Sequence, residues 1–321
     1  MYFMVMEYIL FFVGLFILVK GARWIVDGSS SLAKRLGVST LIVGLTVVAF
    51  GTSLPELIVN ILAALGGSGE IAFGNVIGSN ISNILLILGI TAIVGKVRIK
   101  NSTIWRQIPF ALLAAFILFL LTNKMLFGIQ SALLTRMDGL IFLALFAIFL
   151  YYLFQVSRKE GAEMEEIWNV DKGMLKIALK IVIGLVAIYF GGRWVVDGAV
   201  VIAGQLGLSE FLISATVIAI GTSLPELVVS IIAVLNKKVD LAVGNIIGSN
   251  IFNILWVLGI VPLIRPIAIP AFIGFDIAVM FFATLLLFIF MFTGRHELRR
   301  KEGVVFVLLY VLYIAFLIFR G

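Results

Sequence analysis

The hexapeptide GTSLPE at Gly51–Glu56 returns unchanged at Gly221–Glu226, each time inside an apolar run long enough to cross a bilayer. Each copy sets one carboxylate, Glu56 or Glu226, among hydrocarbon neighbours. A charge near the centre of a membrane helix costs about 2.5–3.5 kcal/mol on insertion scales, so two of them beside Gly and Pro point to a functional site, by default one for an ion. Helical spacing puts Ala49, Thr52, Ser53 and Glu56 on one face, and Ala219, Thr222, Ser223 and Glu226 on the matching face of the second copy. Pro55 has no N–H, so the Gly51 carbonyl loses its partner one turn on. Carboxylate, hydroxyls and a freed carbonyl make an all-oxygen ligand set, which suits hard cations such as Na⁺ and Ca²⁺ rather than the metals that seek nitrogen and sulfur. A helix merely kinked by Gly and Pro, with Ser and Thr bonding back to the preceding turn, would account for one copy without Glu. It does not account for two copies with Glu.

A second motif is also repeated, GNVIGSN at 74–80 and GNIIGSN at 244–250. Asn75, Ser79 and Asn83 follow one another at intervals of four, as do Asn245, Ser249 and Asn253, so each trio lies along one helix face. Ser79, Asn83, Ser249 and Asn253 read as lining of the ion site, whereas Asn75 and Asn80 fit equally well as hydrogen-bonding glue between helices. Gly74 with Gly78, and Gly244 with Gly248, form small-residue strips that allow close helix approach. Arg23 with Asp27, and Arg193 with Asp197, are spaced i to i+4 and read as local ion pairs.

The elements that must carry these residues follow from composition. Hydrophobic residues are 62% of 321 positions and charged residues 13%, which defines an integral membrane protein. Long apolar runs with short charged breaks select a helical bundle over a barrel, since no ten-residue alternating strands are present. Ten spans are expected near 3–27, 40–65, 71–95, 104–122, 133–155, 174–201, 210–235, 240–264, 270–292 and 303–319. The first begins with Glu7 and lacks a basic start or a cleavage pattern, so it reads as a retained helix rather than a signal peptide. Of the 24 Lys and Arg, only Lys124, Arg136, Arg193, Arg265 and Arg320 fall on the side that holds the termini. The positive-inside rule therefore puts both termini outside and the 156–173 linker in the cytoplasm of a multi-pass cell-membrane protein.

Both motifs recur at a constant offset of 170 residues, as does ARWIVDG at 22–28 in the form GRWVVDG at 192–198. Segments 22–56 and 192–226 align without a gap at 18 of 35 positions, too many for shared hydrophobicity alone. The expected organisation is a five-helix repeat at 1–155, a linker at 156–173 and a second repeat at 174–321, all within one membrane domain. Five spans per half force the second half to enter from the opposite side. The fold class is thus an all-α membrane protein of about ten transmembrane helices in two inverted five-helix repeats, an architecture of transporters with a midplane site. The acidic stretch in Gln155–Lys172 reads as a solvated linker, because it lacks the alternating ligands and central Gly of a calcium loop. The chain has no Cys and a single His, His296, which excludes disulfides and thiolate or histidine-cluster metal sites. Its net charge of +7 belongs to cytoplasmic loops and implies no nucleic acid.

Two inverted halves, each with GTSLPE followed by GN-x-IGSN, resemble the cation/calcium antiporter superfamily, and within it the sodium/calcium exchanger branch of prokaryotic type. The likeness covers essentially the whole chain. It implies two long tilted helices flanking eight shorter ones. It also implies that Glu56 and Glu226 are carboxylates shared by Ca²⁺ and Na⁺, with the Thr52 and Thr222 carbonyls completing a Ca²⁺ site. Flanking Na⁺ sites would use the Ala49 carbonyl, Ser53 and Ser249 on one side, and the Ala219 carbonyl, Ser223, Thr222 and Ser79 on the other, with Asn83 and Asn253 near the middle. Some relatives, including potassium-dependent ones, carry Asp where this chain has Asn253, so the resemblance here argues against K⁺ co-transport.

The resulting expectation is a secondary antiporter, not an enzyme, that exchanges Na⁺ for Ca²⁺ by alternating access, with these ions as substrates and no cofactor or obligate protein partner. For the family, about three Na⁺ enter per Ca²⁺ leaving, so one net charge moves and each 100 mV contributes about 2.3 kcal/mol. An H⁺/Ca²⁺ exchanger using the same two Glu is the nearest alternative. A passive channel would need no counter-ion, and an intramembrane hydrolase would need a nucleophile and base that the sequence does not offer.

Overall fold

A computed structural model describes residues 2–67, 70–99, 103–124, 133–164, 173–206, 221–271, 273–293 and 296–320. Among them the chain is almost wholly helical: α1 Tyr2–Leu36, α2 Thr40–Thr52, α3 Leu54–Leu65, α4 Ile71–Val94, α5 Thr103–Thr122, α6 Arg136–Met164, α7 Met174–Gln205, α8 Leu224–Leu235, α9 Val239–Ile264, α10 Ile273–Thr293 and α11 Arg300–Arg320. Eight of these are long and apolar enough to cross a membrane, and α2 with α3 forms a further span bent by 41°. The expected span at 40–65 is therefore broken rather than continuous. Only α8 is seen of the span expected at 210–235, because 207–220 lie outside the described residues. Helix α6 continues to Met164, into the stretch expected as linker, and 165–172 again lie outside the described residues.

The packing is inverted relative to a soluble protein. Large apolar side chains such as Phe12, Phe16, Leu175 and Phe319 are exposed, as a lipid solvent requires, while Ser, Asn and Glu side chains are buried inside. Helices α4 and α9 form the centre: 78% and 83% of their apolar windows are buried, against 22–39% for the other six long spans. The long helices α1 and α7 lie along each other, and their contact depends on glycine. A Cβ at Gly14 would come within 2.9 Å of the Gly191 carbonyl, and one at Gly21 within 2.8 Å of the Gly184 carbonyl. Gly184 and Gly191 are the 170-residue counterparts of Gly14 and Gly21, so the crossing maps onto itself when the halves are exchanged.

Two short antiparallel ladders behave alike. Strand β1 (Val97–Arg98) pairs with β4 (Glu297–Leu298), and β2 (Leu133–Leu134) pairs with β3 (Ile267–Ala268). Each ladder joins one half to the other, and exchanging the halves turns one ladder into the other. Reciprocal contacts of this kind are what a two-fold relation between the halves produces. The halves also interlock, with α6 packed on the end of α9 and α11 on the end of α4. One expected local pair is replaced: Asp27 reaches Lys180 of α7 at 2.9 Å instead of Arg23, while Arg193 and Asp197 do approach to 3.6 Å. All four side chains are substantially solvated, so neither pair adds much stability.

Candidate functional site

Sequence chemistry breaks the helix at both GTSLPE copies in the same way. Ser53 has φ −87° and ψ 3°, and Ser223 has φ −92° and ψ 5°; each ends one helical stretch, and a new helix starts at the next residue with Pro in its first turn. Pro is tolerated there because that N–H has no intrahelical partner in any case. Glu56 and Glu226 then fall in the first turns of α3 and α8, where free backbone N–H groups and the helix dipole favour negative charge. Their side chains are 0% and 1% exposed, and the two carboxylates are close enough for their charges to interact.

The second motif lies on the central helices. Shortly after each GN-x-IGSN segment the backbone widens into a π-helical turn, Ser82–Ile87 in α4 and Phe252–Val257 in α9. Such turns insert an extra residue and re-aim side chains, and they recur at functional sites. They carry Asn83 and Asn253, both buried, the two positions expected near the middle of the site.

Around the carboxylates, the structure brings Thr52, Ser53, Ser79, Asn83, Ser223, Ser249 and Asn253 into the buried interior with Ala49, while Thr222 is partly exposed. Ala219 lies outside the described residues. Thr52 Oγ1 donates to Asn245 Oδ1 at 3.0 Å and stands 3.4 Å from Ser249 Oγ, which in turn donates to Glu226 Oε1 at 3.5 Å. The Asn245 amide donates to Ser230 Oγ at 3.2 Å and to the Glu226 carbonyl at 3.4 Å. Asn245 therefore ties α2 of the first half to α8 of the second. Its counterpart Asn75 accepts a local bond from Asn60 at 3.3 Å.

Many oxygens of this cluster have no hydrogen-bond partner: both of Glu56, Oε2 of Glu226, Oδ1 of Asn83 and of Asn253, and the hydroxyls of Ser53, Ser79 and Ser223. A buried carboxylate without a donor is costly. Buried unpaired oxygens of this kind are groups that a hard cation can satisfy. No group of three or more His, Cys, Asp or Glu occurs among the described residues, so the charge resides in the Glu pair.

Gly244 and Gly248 are pressed against α2: a Cβ at Gly244 would meet the Leu41 carbonyl at 2.6 Å, and one at Gly248 the Ala49 Cβ at 2.7 Å. The counterpart of α2 that would face Gly74 and Gly78 lies outside the described residues. Asn75, Ser79 and Thr222 line a cavity of about 510 Å³. The far end of this cavity is bounded by Asp276, Tyr313 and Arg320.

The reading of Asn80 as hydrogen-bonding glue between helices holds, since Asn80 and its counterpart Asn250 cross-link the central helices. Sequence reasoning missed two features here. Asn245 bridges the halves, although its place on the motif face was visible. Asp276, an isolated acid at the start of an apolar helix, faces Arg320 from 44 positions away, a pairing that no local pattern signals.

A bundle of apolar helices with polar and acidic side chains buried at its centre is a polytopic membrane protein. The profile described as "Sodium/calcium exchanger protein" matches residues 6–155 and 176–319, and the chain belongs to the sodium/calcium exchanger family. The sodium/calcium exchanger MaX1 of Methanosarcina acetivorans is 31% identical over 351 aligned positions, covering 98% of this chain and 99% of that protein. The inner membrane protein YrbG of Escherichia coli is 35% identical, covering 96% of this chain and 95% of its own length. The sodium-calcium exchanger NCX_Mj, solved after soaking with 10 mM Na⁺ and 10 mM Sr²⁺, superposes with a TM-score of 0.83 at 31% identity, over 97% of this chain and 98% of that one.

Proposed function

We propose that this protein is a secondary active antiporter that exchanges Na⁺ for Ca²⁺ across a cell membrane by alternating access, and is not an enzyme. One observation carries the reading: Glu56 and Glu226 are both buried, and both oxygens of Glu56 and Oε2 of Glu226 have no protein donor among the described residues. Two ionised carboxylates carry a formal charge of −2, which one Ca²⁺ neutralises. Na⁺ has a similar radius and the same preference for oxygen, so either set of ions fits the cage but not both together. Exchange is then coupled, because the cage passes between its two orientations when its charge is compensated.

In this reading Glu56 and Glu226 are shared by both ions, and the Thr52 and Thr222 carbonyls complete the Ca²⁺ site. The Ala49 carbonyl with Ser53 and Ser249, and Ser223 with Thr222, Ser79 and the Ala219 carbonyl, hold Na⁺. Asn83 and Asn253 line the middle. The halves are inverted in the membrane, both termini face outside, and the 156–173 linker is cytoplasmic. The ladder of β2 with β3 then lies outside. Support for this sidedness comes from the placement of the basic residues.

The test is Ca²⁺ uptake into Na⁺-loaded proteoliposomes with pH clamped. Uptake that requires the Na⁺ gradient and ignores protonophores is expected. Uptake that follows a pH gradient and ignores Na⁺ would favour H⁺/Ca²⁺ exchange, and flux without any counter-ion would indicate a channel.

A further inference from the structure

We propose that Asp276 and Arg320 set the electrostatic potential at the mouth of the cavity leading to Ser79 and Thr222, and so govern how readily cations enter the site from that side. Asp276 stands in the first turn of α10 and is only 6% exposed. Arg320, at the end of α11, grips it with both guanidinium nitrogens: Nη1 lies 3.2 Å from Oδ1 and Nη2 lies 3.0 Å from Oδ2. The Tyr313 hydroxyl donates to Oδ1 at 3.1 Å. These three side chains line the same cavity as Asn75, Ser79 and Thr222, and the wall between the two polar ends is apolar, with Ile273, Ile314 and Leu317. Among the described lining residues, Asp276 and Arg320 are the charged ones.

A carboxylate in the first turn of a helix needs no distant arginine to be stable there. The bidentate pair does something further: it cancels two charges that would each act strongly on a cation passing between low-dielectric walls. With the pair intact its two charges cancel, so the pair itself neither holds cations at the entrance nor turns them away. Either charge alone would shift entry in a direction set by its sign. Coulomb energy is proportional to the charge of the ion, so the fold-change for Ca²⁺ should be the square of that for Na⁺.

The proposal rests on the exchanger reading for the identity of the cations, and one set of measurements separates the two. Asp276→Asn, Arg320→Gln, the double variant and Arg320→Lys are reconstituted in full-length protein. The apparent KM for Ca²⁺ and for Na⁺ on the cavity side is read at low and high choline chloride. Arg320→Gln should lower the KM for Ca²⁺ by about threefold or more, and Asp276→Asn should raise it by a similar factor, with both effects shrinking as salt screens them. The maximal rate should stay within about twofold of wild type, and the double variant and Arg320→Lys should return close to the wild-type KM. Single variants that shift KM in the same direction, or shifts that ignore salt, would reduce the pair to a structural latch and overturn the proposal. Either single variant decides the sign if the other does not fold. Wild-type protein without Na⁺-driven Ca²⁺ uptake would overturn the exchanger reading instead, and the same opposite signs sought in the association rates of Na⁺ and Ca²⁺ would still decide the mouth.

Discussion

The side-chain amide of Asn80 donates to the backbone carbonyl of Asn250 at 3.2 Å, and the side-chain amide of Asn250 donates back to the carbonyl of Asn80 at 3.3 Å. The same two residues orient the next turn: Asn83 donates to Asn250 Oδ1 at 2.9 Å, and Asn253 donates to Asn80 Oδ1 at 3.2 Å. With their amide protons spent on this cross-link, Asn83 and Asn253 keep their own Oδ1 atoms unpartnered. The two central helices are thus stitched at the two-fold axis by a closed set of four bonds whose by-product is a pair of free acceptors.

Replacing Asn80 or Asn250 with Ala should therefore destabilise the protein by about 1–3 kcal/mol, because each change strands buried partners on the other helix. The double variant should cost less than the sum of the singles, as expected for groups in one network. Thermal melting in detergent reads both, and strictly additive losses would show that the four bonds act independently.

Glu56→Gln and Glu226→Gln each remove half the charge of the cage while preserving its shape. Ca²⁺ exchange should fall by about a hundredfold or more, since leaving a buried ion short of a charged partner costs about 3–5 kcal/mol. Folding should be retained, because a neutral amide is cheaper to bury than a carboxylate. Near-normal flux in either variant, measured by ⁴⁵Ca uptake, would remove that residue from the site.

The glycine strip of α9 should not tolerate a methyl group. Gly248→Ala puts a methyl group 2.7 Å from the Ala49 Cβ and 2.9 Å from the Leu45 Cα, and should cost about 1–3 kcal/mol by overpacking. Thermal melting in detergent reads the loss, and an unchanged melting temperature would contradict the close approach of α9 to α2.

Net charge movement is the fourth expectation. If one charge crosses per cycle, each 100 mV should change the equilibrium Ca²⁺ ratio by about fiftyfold, corresponding to about 2.3 kcal/mol. Clamping the potential with K⁺ and valinomycin while following Ca²⁺ tests this, and a ratio independent of potential would mean neutral exchange.

Much of the molecule was legible in one dimension because its determinants are local or periodic. Apolar length gave the spans, and Pro55 and Pro225 gave the breaks beside the two Glu. The 170-residue offset gave the duplication, and intervals of four gave the faces of Ser79, Asn83, Ser249 and Asn253. Each of these depends on neighbours within a turn or two, or on the chain repeating itself.

What the tertiary structure decided depends on groups far apart in sequence meeting at short range. Identical motifs cannot reveal that Thr52 is locked to Asn245 across the halves. Nor can they reveal that Asn80 bonds Asn250 rather than its own helix, or that Asp276 answers Arg320. Hydrogen bonds and ion pairs act over about 3 Å and depend on direction. Helix periodicity fixes which face a side chain occupies, but only packing fixes what that face meets.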